Sequence, residues 1–291
     1  MRVWLLSEKA ALILAKRRLN QLPPFLMITR KKWTENELLI ALNLYHKLTF
    51  GQFDQRNPVI IDLAKKLGRT PSSVAMKLSN LASLDPVLKM RGIKGLDGAS
   101  ALDKHVWNDF HENLAERVPA SEEALRQLFE ASENADLEVL PREGIRLRKR
   151  PVIEITEVSA TIKVRRGQEY FRDAVLNNFA GVCGVTQLGI RELLIASHIL
   201  PWGKHPTERL NVRNGLCLSR LHDAAFDRGL ISFDSDLRLM LSPKLKAELS
   251  QRSLLENFGN YEGEPLNLRD DAVLPDPEFL AHHRAEIFLH A

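Results

Sequence analysis

The chain has 291 residues, 44% hydrophobic and 27% charged. That is the balance of an ordinary globular protein, and it excludes a wholly disordered chain, a collagen-like repeat and a coiled-coil rod. The 41 Lys and Arg against 37 Asp and Glu leave a formal charge of +4, which permits a nucleic-acid partner without establishing one. Cys183 and Cys217 are the whole cysteine complement, so a disulfide scaffold and a four-cysteine zinc site are both excluded within the chain. In residues 1–30, an apolar stretch at Ala10–Ala15 is bounded by Glu8 and Lys9 and by Lys16, Arg17 and Arg18. It falls short of the roughly 20 apolar residues that span a bilayer, and no small-residue cleavage site follows it. The segment reads as a mis-started leader with Met27 as the natural start. No later segment resembles a membrane span, which places the protein in the cytoplasm.

Residues 31–118 read as a helical domain. Thr34 stands as an N-cap, Glu35 and Glu37 follow in the first turn where the helix dipole favours anions, and Leu38, Ala41, Leu42 and Tyr45 recur at helical spacing. Val59–Leu67 reads as a second helix stopped by Gly68. Thr70 caps a third, with Pro71 at its first position and Val74, Leu78 and Leu81 on one face. A further helix near Lys104–Leu114 turns Trp107 and Phe110 inward. The helix–turn–helix from Ile60 to Leu84, together with Trp33, resembles Myb-like DNA-binding folds. The resemblance implies that the helix starting at Pro71 enters the major groove, with Ser72, Ser73 and Lys77 facing the duplex and Arg69 near phosphates. A packing or protein-docking module is the other reading.

Residues 119–167 read as a basic connector. A short helix from Ser121 to Ala131 leads to a run of positive charge that includes Arg148, Lys149, Arg150 and Arg166. Alternation in VIEITEV and TIKVRR (residues 152–158 and 161–166) predicts β structure. A solvated linker is the plain reading of such a run; its place before the next segment points to phosphate contact.

Residues 168–291 carry the informative pattern. Glu169–Phe179 is an amphipathic helix, Leu193–Ala196 an apolar run leading to His198, and Leu216–Leu218 a second short strand. Leu221–Asp227 is a helix carrying His222, and Leu230–Phe233 and Leu237–Leu241 form a hairpin around Asp234–Asp236. Ala196-Ser197-His198-Ile199-Leu200-Pro201-Trp202 is followed by Asn214-Gly215-Leu216, Leu218, His222, Phe226, Asp227, Gly229 and Ile231. These elements resemble the HNH endonuclease superfamily, the ββα-metal nucleases. Cys183-Gly184-Val185-Thr186 fits an upstream element of one subgroup, in which Gln187 replaces a glycine. The implied fold class is α+β, an all-α N-terminal domain joined by the connector to an HNH nuclease domain.

The resemblance implies that His198 is the general base, that Asn214 orients the base or pins the loop, and that His222 ligates a cation. Many relatives carry an acidic ligand just before the first histidine, where this chain has Ser197. Asp227 is the candidate replacement, with Asp223 behind it. The implied cofactor is Mg²⁺ or Mn²⁺, with Ni²⁺ or Zn²⁺ also suited to a nitrogen ligand, and no structural zinc. Arg172, Arg191 and Arg213 are candidate phosphate clamps. The implied activity is hydrolysis of double-stranded DNA by a restriction or anti-phage enzyme, acting as a homodimer. A homing or repair nuclease, a transcription regulator with a relic nuclease domain and an indiscriminate nuclease toxin are the alternatives.

Overall fold

Helix boundaries in the N-terminal part follow from local chemistry. In a computed structural model, which describes residues 31–133, 135–149 and 159–290, Glu35–Ala291 form one compact unit. Residues 31–34, before it, have no regular structure. Helix α1 (Glu35–Lys47) begins with Glu35 and Glu37 in its first turn. Helix α2 (Pro58–Leu67) has Pro58 at its start, the Asn57 side chain accepting from the Val59 N–H, and Gly68 in the left-handed region at φ 62° to end it. Helix α3 (Pro71–Ala82) is capped by Thr70, whose hydroxyl accepts from the Ser73 N–H. Short α4 (Pro86–Met90) is capped by Asp85, and α5 (Ala101–Glu112) by a reciprocal Ser100–Asp103 pair. Helix α6 (Leu114–Leu128) completes the layer. Leu38, Leu42, Ile60, Leu63, Val74, Leu78, Leu81, Trp107 and Phe110 are buried, so the helical periodicity in the sequence marks a real core.

Residues 119–167, read as a connector, hold the second half of α6, a hairpin and the start of a long helix. The hairpin pairs β1 (Ala135–Leu140) with β2 (Gly144–Lys149), Ala135 opposite Lys149 and Leu140 opposite Gly144. Helix α7 (Ser159–Asn178) corrects one expectation. TIKVRR alternates like a strand but lies in α7, because Arg166, Tyr170, Ala174 and Asn177 recur every three or four residues and are all buried. Arg166 is satisfied there by Glu123, Glu133 and Glu169. Residues 1–30, Arg150 and residues 152–158 lie outside the described residues.

Helix α7 packs against α1 and α6 on one side and against the strands β3 (Leu194–His198) and β4 (Gly215–Ser219) on the other. A buried charge network fixes that junction. Lys47 Nζ lies 2.7 Å from Glu122 and 3.5 Å from Asp173, and Asp173 is also 2.6 Å from Arg191. Asn177 donates to the carbonyls of Lys47 and Val139. After β4 come α8 (Arg220–Asp227), the hairpin β5 (Ile231–Phe233) with β6 (Leu239–Leu241), and helices α9 (Pro243–Ala247), α10 (Arg252–Asn257) and α11 (Pro277–Glu286). The architecture is therefore α+β, with a helical N-terminal region and a C-terminal region of strands and helices. Among the described residues no helix is long and apolar enough to cross a membrane.

Candidate active site

Strands β3 and β4 run antiparallel, with Leu194 opposite Ser219 and His198 opposite Gly215. The ends of the pair are thus joined by the loop 199–214, and α8 leaves directly from β4. Gly215 is required by close packing, since a Cβ there would come within 2.3 Å of Val175 and 3.0 Å of Phe171 on α7. Asn214 is fully buried. Its Oδ1 accepts from the Leu200 N–H at 2.8 Å, and its Nδ2 donates to the Glu208 carbonyl at 3.0 Å. The carboxamide therefore ties both limbs of the loop, one of the two roles expected of it.

His198 sits half-buried at the end of β3, its ring stacked on Phe171 at 4.0 Å and 12°. Nε2 donates to the Arg209 carbonyl at 2.9 Å, which fixes the neutral tautomer and leaves a lone pair on Nδ1. Among the described residues no hydrogen bond occupies that nitrogen. Burial lowers the His198 pKa below the ordinary histidine value. The Arg209 carbonyl and the Asp223 carboxylate pull it back up, and the Arg209 charge adds to the lowering. A neutral, oriented imidazole with one open nitrogen has the form of a general base.

His222 is placed differently from its expected role. It is buried in the first turn of α8. Nε2 donates to the Asn257 carbonyl at 2.9 Å, and Nδ1 lies 2.7 Å from the Ser219 hydroxyl. Because a carbonyl can only accept, Nε2 carries the proton and Nδ1 accepts from Ser219. Both ring nitrogens are spent on holding α10 and the helix cap, so in this arrangement the side chain offers no lone pair to a cation.

The acids of α8 act electrostatically on His198 and on each other. Asp223 is close enough to raise the pKa of His198 and also that of Asp227, one helical turn on. Asp227, exposed as a residue, is raised by the partial desolvation of its carboxyl, then by Asp223, with Arg228 opposing. Carboxylates are the ligand type that suits a hard divalent cation completed by water and phosphate. Among the described residues no group of three or more His, Cys, Asp or Glu is placed to hold a metal ion, so Asp223 and Asp227 would need water and phosphate oxygens to complete a site. Ser197, the residue before His198, points to the face of β3 opposite it. It is buried, and its hydroxyl has no hydrogen-bond partner among the described residues.

These elements lie within one recognisable segment. Residues 182–234 match the HNH endonuclease family model. The match takes in Cys183, β3, the His198 loop, β4, α8 and β5, and leaves the helical region outside it. No curated protein matches the chain. Within the HNH segment, both cysteines are free and buried. The Ser219 N–H points at Cys183 Sγ at 3.2 Å, so that thiol packs under the helix cap. Gln187 sits at φ 60°, in the left-handed region, which explains why glycine is the residue suited to that position.

The expected DNA-contacting cations divide sharply. Lys77 does not face outward: it is buried, with Nζ 2.8 Å from both oxygens of Asp103. Arg69 is likewise held by Glu37 at 2.7 Å, Arg166 is buried among three glutamates, and Arg191 pairs with Asp173. Arg172 donates to the carbonyls of Leu194 and Arg191, and Arg213 pairs with Asp276 at 2.9 Å. Each of these side chains fills a structural role that charge counting cannot foresee. Arg148, Lys149 and Ser72 are exposed and Ser73 is half-buried. Arg209 and Asp223, by contrast, join the site although Arg209 carried no expectation. Its signal is positional, lying in the loop between the first histidine and the asparagine.

Proposed function

We propose that the chain is a metal-dependent endonuclease that hydrolyses phosphodiester bonds of double-stranded DNA, with His198 as general base. The observation that carries this reading is the His198 imidazole, clamped by Phe171 and the Arg209 carbonyl, with no hydrogen bond among the described residues on Nδ1. His198 Nδ1 takes the proton of a water, whose oxygen attacks the phosphorus in line with the departing 3′ oxygen. Asn214 keeps the loop closed, so that the carbonyl orienting His198 does not move during proton transfer. Asp223 and Asp227 would hold the cation, and Asp223 also steadies the imidazolium formed once the proton arrives. A bound Mg²⁺ or Mn²⁺ would supply charge neutralisation at the phosphate and the leaving oxygen. His222 acts in this scheme as the brace of α8, with a ligand role open to it only on release from Asn257.

The plan of a helical region joined to a compact nuclease segment fits a bacterial restriction or anti-phage enzyme in the cytoplasm. One site per chain favours a homodimer for cutting both strands. Digestion of supercoiled plasmid tests the reading. Mg²⁺ or Mn²⁺ should give nicked or linear product, EDTA should abolish it, and Asp223→Asn should lose more rate than Asp227→Asn. Full cutting in EDTA would contradict the metal role, and equal rates for Asp223→Asn and the parent would remove that carboxylate from the site.

A further inference from the structure

We propose that Trp202 and Arg209 form a seat for one unstacked nucleobase of the substrate strand, beside the catalytic histidine. The proposal deepens the nuclease reading and rests on it for the identity of the ligand. A cavity of about 170 Å³ opens between α6, α7 and the His198 loop, with Leu114, Pro119, Val164, Trp202, Arg209 and Leu210 among its walls. Its walls are mostly apolar surface and one indole, with Lys163, Thr207 and Arg209 as the polar members, and it is large enough for a single ring system but not for a base pair. Val164, at its rim, exposes nearly half of its surface (47%), and Lys163 and Glu116 pair across from α7 to α6.

Arg209 ties this cavity to the site. Its guanidinium carbon lies 5.0 Å from the Trp202 ring centroid, and its Nε donates to the Trp202 carbonyl at 2.7 Å. Its own carbonyl is the group that orients His198, and the Trp202 and His198 rings meet edge to face at 5.2 Å. Seat, cation and base are therefore one connected unit. Among the described residues no carboxylate engages the Arg209 guanidinium, in contrast to Arg166, Arg191 and Arg213. An indole backed by a guanidinium holds any base through its π-face, and the terminal nitrogens of Arg209 are left for the flanking phosphate. Such a seat requires the base to leave its stack, as enzymes that place single nucleotides in a pocket arrange. It would fix the adjoining phosphate with respect to His198 without reading sequence.

The test uses the full chain carrying His198→Ala, expected to bind without cutting, and a single-stranded oligothymidylate containing 5-iododeoxyuridine. Irradiation and peptide mapping should place the cross-link on Trp202. Binding measured by fluorescence anisotropy should weaken roughly 5- to 150-fold in Trp202→Ala, the range that corresponds to one stacked base at about 1–3 kcal/mol. It should stay near the parent value in Trp202→Phe and weaken in Arg209→Lys, which keeps the charge and the backbone carbonyl but loses the planar face. Cross-linking confined to other residues would overturn the proposal, as would unchanged binding in both a folded Trp202→Ala and Arg209→Lys. A cross-link at Trp202 in a chain whose parent form cuts no DNA would uphold the seat while removing the nuclease reading, so the two can fail separately.

Discussion

The turn between α2 and α3, read as presenting a helix to DNA, and the turn from β4 into α8, read as presenting a cation ligand, use their polar residues in opposite ways. At α3, Lys77 is buried against Asp103 and Arg69 against Glu37, so the charges that would read a groove hold the helices together. Around α8, the open nitrogen of His198, the acids Asp223 and Asp227 and the guanidinium of Arg209 stay out of such structural pairs. A basic residue in a helix-turn-helix pattern is thus weak grounds for contact, because burial of the same helix can demand that charge for its own pairing. An imidazole at a strand end, held through one nitrogen only, is much stronger grounds for chemistry.

The comparison breaks first at Lys77. Lys77→Ala leaves the fully buried Asp103 unpaired and should cost about 3–5 kcal/mol of stability, read as a large fall in melting temperature. An unchanged melting temperature with weakened DNA binding would return Lys77 to the duplex and erase the contrast between the two turns.

A second test sharpens the α8 side. Because burial lowers the His198 pKa, the proposed base stays neutral at pH values where an ordinary histidine is protonated. The acid limb of the cleavage rate should therefore fall with a midpoint below 6.5. The sign follows from the form required: protonation removes the base, and the depressed value delays protonation as the pH drops. A limb centred above 6.5 would mean that Asp223 outweighs burial.

The smallest effect concerns Gln187. Glycine there relieves a left-handed conformation that costs a side chain roughly 1–2 kcal/mol, a gain partly offset by the extra freedom of glycine in the unfolded chain. Gln187→Gly should raise stability by about 1 kcal/mol or less, seen in denaturant titration. A loss would show that the Gln187 side chain makes a contact worth more than the strain.

Local signals made much of the fold legible. Pro58, Pro71, Thr70 and Gly68 mark helix ends because their effects act within a turn, and the apolar spacing of α1 to α3 marks one buried face. The start of α7 was hidden because TIKVRR satisfies a two-residue period as well as a helical one, and only the glutamates of α6 and Glu133 decide between them. The placement of His198 at a strand end and of Asn214 at the close of the following loop was legible from the motif. The occupation of His222 was not, since its partner Asn257 lies 35 residues away in sequence. Arg209 was hidden for a different reason: what it contributes to His198 is a backbone carbonyl, which no residue type announces.

The central claim is that one open nitrogen of His198 takes the proton of the attacking water. Its most direct test is the pair of measurements on His198→Ala: cleavage of supercoiled plasmid in Mg²⁺ or Mn²⁺, and binding of the same DNA. Removal of the base should lower the rate roughly 10²- to 10⁴-fold while binding and melting temperature stay close to those of the parent. A His198→Ala chain that cuts at the parent rate would contradict the account.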